Sequence, residues 1–301
     1  MGAFPSRLLA TVLALVLALA IPARGQDTTA AMRDTSRSMG LRVTPAGQQV
    51  LLVLRDGSRL LGRVNAVGPT EVRFASAVGE TRVPRSAISA VQLVAASAVH
   101  DGELWPENPS RSRLFFAPTG RMLRAGELYL SDVLILFPSL QAGITDRVSF
   151  GGGLSIVPGI GLDQQLFYIT PKVGLYASDA LNIAAGALLV TAKDLTDESP
   201  IGMAYAVSTF GPEDASVTTG VGLGFSRSSH SNALLMLGGE RREARSFSLV
   251  SENYLYAGSG TNWALSGGVR FLGEHIAVDL AAVVASGAQT AVPYLSFDYK
   301  W

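Results

Sequence analysis

From Ser112 to Trp301, apolar residues alternate with small or polar ones at a period of two. In Arg147–Val157, Val148, Phe150, Gly152, Leu154 and Ile156 share one face, and Arg147, Ser149, Gly151, Gly153 and Ser155 the other. In Ser216–Ser226, Val217, Thr219, Val221, Leu223 and Phe225 oppose Thr218, Gly220, Gly222, Gly224 and Ser226. In Asn262–Phe271, Trp263, Leu265, Gly267, Val269 and Phe271 oppose Asn262, Ala264, Ser266, Gly268 and Arg270. Successive side chains of a strand point to opposite sides, so each stretch predicts a strand with one apolar and one polar face. Stretches of ~10 residues separated by turns predict a transmembrane antiparallel β-barrel with its apolar face to lipid. A soluble sandwich also alternates, but its outward face carries more Lys, Glu and Arg. Here the second face is mostly Gly, Ser, Thr and Ala, which suits a crowded lumen.

Turn residues divide this region. Short turns are expected at Thr145-Asp146, Ser178-Asp179, Gly211 to Asp214, Gly238 to Glu243 and Gly273-Glu274. They alternate with connections at Pro158 to Asp163, Lys193 to Ser199, Arg227 to Ser231, Gly258 to Thr261 and Ser286 to Gln289. In an outer-membrane barrel the short turns lie on the periplasmic side and the longer loops outside. Reading Gly126–Ile144 as one strand gives an odd number of segments, whereas bacterial barrels are even. Arg113–Pro118 (RLFFAP) is therefore assigned as the first strand, with Thr119–Ala125 as an outer loop. The expected count is about 12 strands, with about 10 as the alternative.

Residues 47–94 have a different texture. Val50–Leu54 leads into a tight Asp56-Gly57 turn, followed by Leu60–Val64, a Gly68-Pro69 turn and Glu71–Phe74. Gly79-Glu80 turns into Thr81–Val83, and a short helical turn over Pro84–Ile88 precedes Val91–Leu93. The phrase LRDGSRLLGRVNAVGPTEVRF resembles the opening of Sm-like and SH3-like barrels. The resemblance implies a small, strongly bent β-module and carries no function. Arg55, Arg59, Arg63, Arg73, Arg82 and Arg85 are read as solvated surface charge, and nucleic acid is not an expected partner. Residues 95–111 read as a linker broken by Pro106, Asn108 and Pro109, and residues 26–46 as a flexible leader.

The start of the chain bears on location. Arg7 precedes an apolar run, Leu8–Ile21, interrupted only by Thr11, and Ala23-Arg24-Gly25 follows. This is the pattern of a secretory signal peptide over residues 1–25, with an uncleaved anchor as the alternative; the run is short for a spanning helix. With no Cys anywhere, a lipoprotein anchor, disulfides and thiolate chemistry are excluded. Charged residues make up only 16%, mean hydropathy is +0.30, and no later stretch is long enough for a spanning helix, so an exported chain of this composition points to a barrel.

Leu295, Phe297, Tyr299 and Trp301 alternate with Ser296, Asp298 and Lys300. This resembles the terminal strand of bacterial outer-membrane proteins, whose last aromatic residue is read by the assembly machinery. The resemblance implies that these four residues form an assembly signal. It also implies a Gram-negative outer membrane, with the small module in the periplasm. The stretches FFAPTGRMLRAGELYL, GITDRVSFGGGLSI, ITPKVGL and SENYL look like outer-membrane barrels of the Bacteroidetes type, which implies fold and location but no reaction. Outer-membrane lipid, the barrel-assembly machinery and a periplasmic partner of the small module are the expected partners.

Candidate chemistry is sparse. The three His are His100, His230 and His275. His230 beside Ser228, Ser229 and Ser231 would suit a hydrolase, but no third group to orient it is identifiable. Asp194, Asp197 and Glu198 lack EF-hand spacing and read as a solvated loop. No catalytic residue, metal or cofactor is expected. The alternation turns Arg270, Asp279 and Asp298 toward the lumen, together with Lys172 and Glu252. A hairpin centred on Gly273-Glu274 pairs Arg270 with Ala277, and the next pairs Asp298 with Ala277. Arg270 is then expected to be held by Asp298, with Asp279 as a diagonal neighbour. Two readings stand for these charges: an internal ion-pair network, or a selectivity belt. Correspondingly, the chain reads as a small-solute conduit with a periplasmic accessory module. The alternative is a structural or interaction protein whose barrel only anchors that module; an outer-membrane hydrolase is third.

Overall fold

The computed structural model describes residues 41–45, 48–94, 98–159, 161–191, 201–225, 233–257 and 261–301. Residues 1–25, the leader apart from residues 41–45, His230 with its serines, and Asp194, Asp197 and Glu198 lie outside them. The chain divides into two compact units, one ending at Glu107 and one running from Asn108 to Trp301.

The first unit holds an antiparallel sheet of β1 (Gln49–Leu54), β2 (Arg59–Val67), β3 (Glu71–Ser76), β4 (Gly79–Pro84) and β5 (Ile88–Val94), in the order β4-β3-β2-β1-β5. Val50, Leu52, Val64, Val72, Phe74, Val83 and Val91 meet in one buried cluster. At the first hairpin Gly57 takes φ +85°, a left-handed conformation that costs glycine nothing, and Asp56 Oδ1 accepts the Ser58 N–H at 2.9 Å. Register shifts between Val64 and Ala66 in β2 and between Val53 and Leu54 in β1 bend the sheet. The expected linker is not structureless. β6 (Val99–His100) and β7 (Glu103–Leu104) form a short hairpin over Asp101-Gly102, and the His100 and Trp105 rings stack at 4.0 Å.

The second unit is a closed antiparallel barrel. Its strands are β8 (Leu128–Val133), β9 (Phe137–Thr145), β10 (Val148–Leu154), β11 (Phe167–Ile169), β12 (Lys172–Ala177), β13 (Leu181–Thr191) and β14 (Ile201–Phe210). They continue with β15 (Ala215–Phe225), β16 (Ala233–Ala244), β17 (Phe247–Ala257), β18 (Thr261–Leu272), β19 (Ile276–Ala285) and β20 (Val292–Lys300). β11 and β12 pair with β10 and β13 in one continuous register across Thr170-Pro171, so they are halves of a single strand. The ring therefore has 12 strands, and it closes where β20 pairs with β8, Asp298 opposite Ser131.

Alternation fixes which way each strand faces. Val217, Val221, Leu223, Leu237, Leu265, Phe271 and Leu280 are exposed on the outer surface, while Thr218, Glu240, Arg270 and Asp279 are buried inside. A continuous apolar exterior of this extent is unfavourable in water and favourable in hydrocarbon. Trp301 N donates to Leu128 O, so the start of β8 and the end of β20 share one rim. That rim carries the short connections, among them those joining Thr145 to Val148 and Ala244 to Phe247.

The count of twelve agrees with the sequence expectation, but the strands are not the expected ones. Arg113–Pro118 is not in the wall, and Thr119–Ala125 is not an outer loop. Gly126–Ile144 instead supplies two strands, β8 and β9, joined through Leu134 and Ile135 at φ 58° and 62°. Nothing in that tip has the composition of a turn, since left-handed Leu and Ile are rare and strained. The expected turn at Gly238 to Glu243 lies within β16; the chain turns at Arg245-Ser246.

Candidate functional site: the filled lumen

The segment Asn108–Arg124 runs inside the barrel rather than in its wall. Ser110, Ser112, Arg113, Leu114, Phe115, Ala117, Thr119, Arg121 and Leu123 are all buried. A small hairpin organises it: Leu114 N donates to Ala117 O at 2.8 Å and Thr119 N to Ser112 O at 2.9 Å, with Arg113 bridged to Pro118. Leu114, Phe115 and Ala117 pack with Ala184, Val207, Met236 and Val250 of the wall. Small wall residues make the room. A Cβ on Gly238 would lie 2.5 Å from Leu114 Cδ1, and one on Gly174 would lie 2.7 Å from Met122 Cγ.

The five lumen charges singled out from the sequence all lie on the inner face and are buried. Four of them touch the segment directly. Asp298 receives Arg113 through Nε at 2.9 Å and a second guanidinium nitrogen at 2.7 Å, and it also accepts the Ser110 hydroxyl. Glu252 accepts the backbone N–H groups of Phe116 and Ala117, each at 2.9 Å, and the Tyr254 hydroxyl at 2.7 Å. Lys172 Nζ donates to the carbonyls of Arg121 at 2.7 Å and Ser112 at 3.3 Å. Arg270 donates to the carbonyls of Arg113 and Leu114. The fifth, Asp279, lies 3.4 Å from an Arg113 guanidinium nitrogen.

The pairing within the wall differs from the expected one. Arg270 stands directly opposite Asp279, not Ala277, because the turn after β18 is centred one residue later. Arg270 Nε meets Asp279 at 2.7 Å, another nitrogen meets Glu240 at 2.9 Å, and Asp298 is left to Arg113. Shifting a hairpin centre by one residue moves every cross-strand partner by two while keeping each side chain on its face. That is why the lumen face of β18 was legible and the partner of Arg270 was not, while the other expected pair, Asp298 opposite Ala277, is present.

Arg113, Arg121 and Glu240 were missed by the sequence reading. Arg121 ties the far end of the segment to Ser216 and to the carbonyls of Gly211 and Pro212, while Gly120 N donates to Thr209 Oγ1 at 2.7 Å. At the near end, the Asn108 side chain donates to Glu240 at 2.9 Å and its backbone N–H to Glu213 at 3.0 Å. On the short-turn rim, Arg111 and Lys300 converge on Glu127 at 2.7 and 2.9 Å. Burial alone would raise the Glu127 carboxyl above its ordinary 4.5, but Arg111, the Arg124 amide and Lys300 outweigh it and hold the group at about 2. Among the described residues, no group of three or more His, Asp or Glu is placed to hold a metal.

No protein-family profile matches the sequence, and no curated protein does. Solved structures are similar to it in part. A KdgM porin in complex with disordered oligogalacturonate is 8% identical, with a TM-score of 0.46 over 58% of this chain and 98% of that one. The outer-membrane expressed OmpT of Vibrio cholerae is 13% identical, with a TM-score of 0.34 over 84% of this chain and 95% of the other. OccK5 of Pseudomonas aeruginosa is 8% identical, with a TM-score of 0.34 over the same shares, 84% and 95%.

Proposed function

We propose that the barrel is a small-solute conduit of the outer membrane, closed by its own segment Asn108–Arg124. The observation that carries this reading is the chemistry of the wall. Lys172, Glu252 and Asp298 turn their polar atoms to the segment, so withdrawing it leaves a polar lining rather than an apolar one. Stability alone does not call for such a lining, because buried ion pairs replaced by well-packed apolar residues are often neutral or stabilising. A wall that must accept water and solute does call for it.

Planar-bilayer recording tests the reading. The intact chain is expected to be mostly silent, with Arg113→Ala and a deletion of residues 108–124 conducting. Silence from folded variants of both kinds overturns it. One observation favours the alternative, in which the barrel is a permanently filled anchor: the dry cluster of Leu114 and Phe115 against Val207, Met236 and Val250.

The rim of short turns is assigned to the periplasm, following the usual asymmetry of such barrels. On that assignment residues 47–94 form a periplasmic Sm-like or SH3-like accessory module, a reading supported by the strand order β4-β3-β2-β1-β5. Protease added to intact cells should then spare them. Leu295, Phe297 and Tyr299 alternate with the buried Ser296 and Asp298 along β20, Trp301 follows its end, and the four are assigned as the assembly signal. Trp301→Ser should lower the amount of heat-modifiable barrel in the membrane.

A further inference from the structure

The segment and the wall carry opposite charge. Asn108–Arg124 contains Arg111, Arg113, Arg121 and Arg124 and no acid. The wall faces it with Glu240, Glu252, Asp279 and Asp298 against Lys172, Arg270 and Arg242, and Arg242 is itself paired with Asp214 of the turn before β15. A cationic peptide thus neutralises an acidic lumen, and withdrawing it leaves the acids in excess.

One guanidinium in particular occupies a built site. Arg113 is bound side-on by Asp298 at 2.9 and 2.7 Å, with Asp279 at 3.4 Å and Ser296 Oγ at 3.2 Å. Asp279 and Asp298 are 1% and 0% exposed; Arg270 and Ser296 of the wall hold the Asp279 carboxylate, and the β20–β8 pairing fixes the backbone of Asp298, whose carboxylate is bonded to Arg113 and Ser110 of the segment. Nearby, Ser248 faces the lumen opposite Arg270, fully buried, and its hydroxyl has no hydrogen-bond partner among the described residues. A planar cation with several N–H donors matches a bidentate carboxylate better than a spherical ion does.

Resting on the conduit reading, we propose that the solutes it admits are organic cations bearing a guanidinium or ammonium group, and that Arg113 occupies in cis the site where such a cation binds on the wall. The segment is then both a closure and a surrogate ligand. A cationic solute competes with it for Asp298, whereas an anion meets uncompensated carboxylates once the segment moves.

Agmatine, which carries one guanidinium and one amine, is the probe, and glutamate is the control. The proteins are the full chain, Arg113→Ala and Arg113→Gln; the Gln variant retains an amide donor toward Asp298 where the Ala variant fails to fold. Folding is checked by heat-modifiable migration. Titration calorimetry in detergent should show agmatine binding to the Arg113 variants about tenfold or more tighter than to the wild type, with the gain lost on adding Asp298→Asn. In bilayers under a KCl gradient, the Arg113 variants should be cation-selective and blocked by agmatine but not by glutamate. Conducting variants that prefer anions, or that ignore agmatine in both measurements, overturn the inference and leave the conduit standing. Silent variants that bind agmatine through Asp298 retain the site and overturn the conduit.

Discussion

The two units of this chain use apolar residues in opposite ways. In the first, Val50, Leu52, Val64, Phe74 and Val91 point inward and hold five strands together by exclusion of water. In the second, the strand alternation is the same, but Leu223, Leu237, Leu265 and Phe271 point outward and the interior is lined by Glu240, Glu252, Arg270, Asp279 and Asp298. One period-two pattern thus gives two solutions, and what separates them is the composition of the polar face. A face rich in Arg and Glu seeks water. A face of Gly, Ser and Thr, with a few matched charges, can be closed around a segment of the same chain.

The contrast can be broken from either side. The largest effect is expected in the barrel interior. Arg270→Ala removes the nearest cation of both Asp279 and Glu240, which should cost about 3–5 kcal/mol because buried acids lose most of their compensation. Arg270→Ala with Asp279→Ala should cost less than the sum of the single changes. Urea unfolding in detergent gives the coupling, and a coupling of zero would contradict the ion-pair account. A similar loss, about 3–5 kcal/mol, is expected for Phe74→Ala in the first unit. In so small a sheet this should expose residues 49–94 to protease while the barrel keeps its heat-modifiable migration. Loss of both together would show that the units are not independent.

Val221 is 53% exposed near the middle of β15. Val221→Arg should cost about 2–4 kcal/mol in a bilayer, where a charge meets hydrocarbon, and almost nothing if that face met water. Comparing urea midpoints in lipid vesicles decides between the two. The smallest effect concerns pH. Because the Glu127 carboxyl is held at about 2 instead of 4.5, its contribution is complete above 4.5 and is lost as pH falls through 2. Glu127→Gln should flatten the fall in stability across that window, by on the order of 2 kcal/mol. An unchanged slope would mean that Arg111 and Lys300 do not set its charge state.

The barrel was legible because alternation is a property of single strands, and so was the inward position of Lys172, Glu252, Arg270, Asp279 and Asp298. What was not legible depended on the chain as a whole. RLFFAP has the composition of a strand, yet it folds back on itself as a small hairpin, Leu114 N donating to Ala117 O, and so pairs within the segment rather than with the wall. Gly126–Ile144, by contrast, is long enough for two strands, but its hairpin tip is Leu134-Ile135, with neither Gly nor Asn to mark it. Four Arg without an acid across Asn108–Arg124 were the available signal that this stretch answers an acidic surface elsewhere. The sequence alone does not place that surface, because its members lie on β16, β17, β19 and β20.

The seam between β20 and β8 also sets an order of events. Ser131 and Asp298 face each other across the closing pair, and the carboxylate at that seam is the one that grips Arg113. Every other neighbouring strand pair in the wall can form as a local hairpin, whereas this one joins the two ends of the barrel. Contacts of such long sequence separation form slowly, since the intervening chain must first be ordered. Until β20 arrives, Arg113 has no Asp298 to bind, so the segment is locked in by the same step that closes the ring. Arrest before closure would leave both a frayed β8 edge and a loose cationic strand, and a protease that cuts after Arg would read the two as a single lag in time.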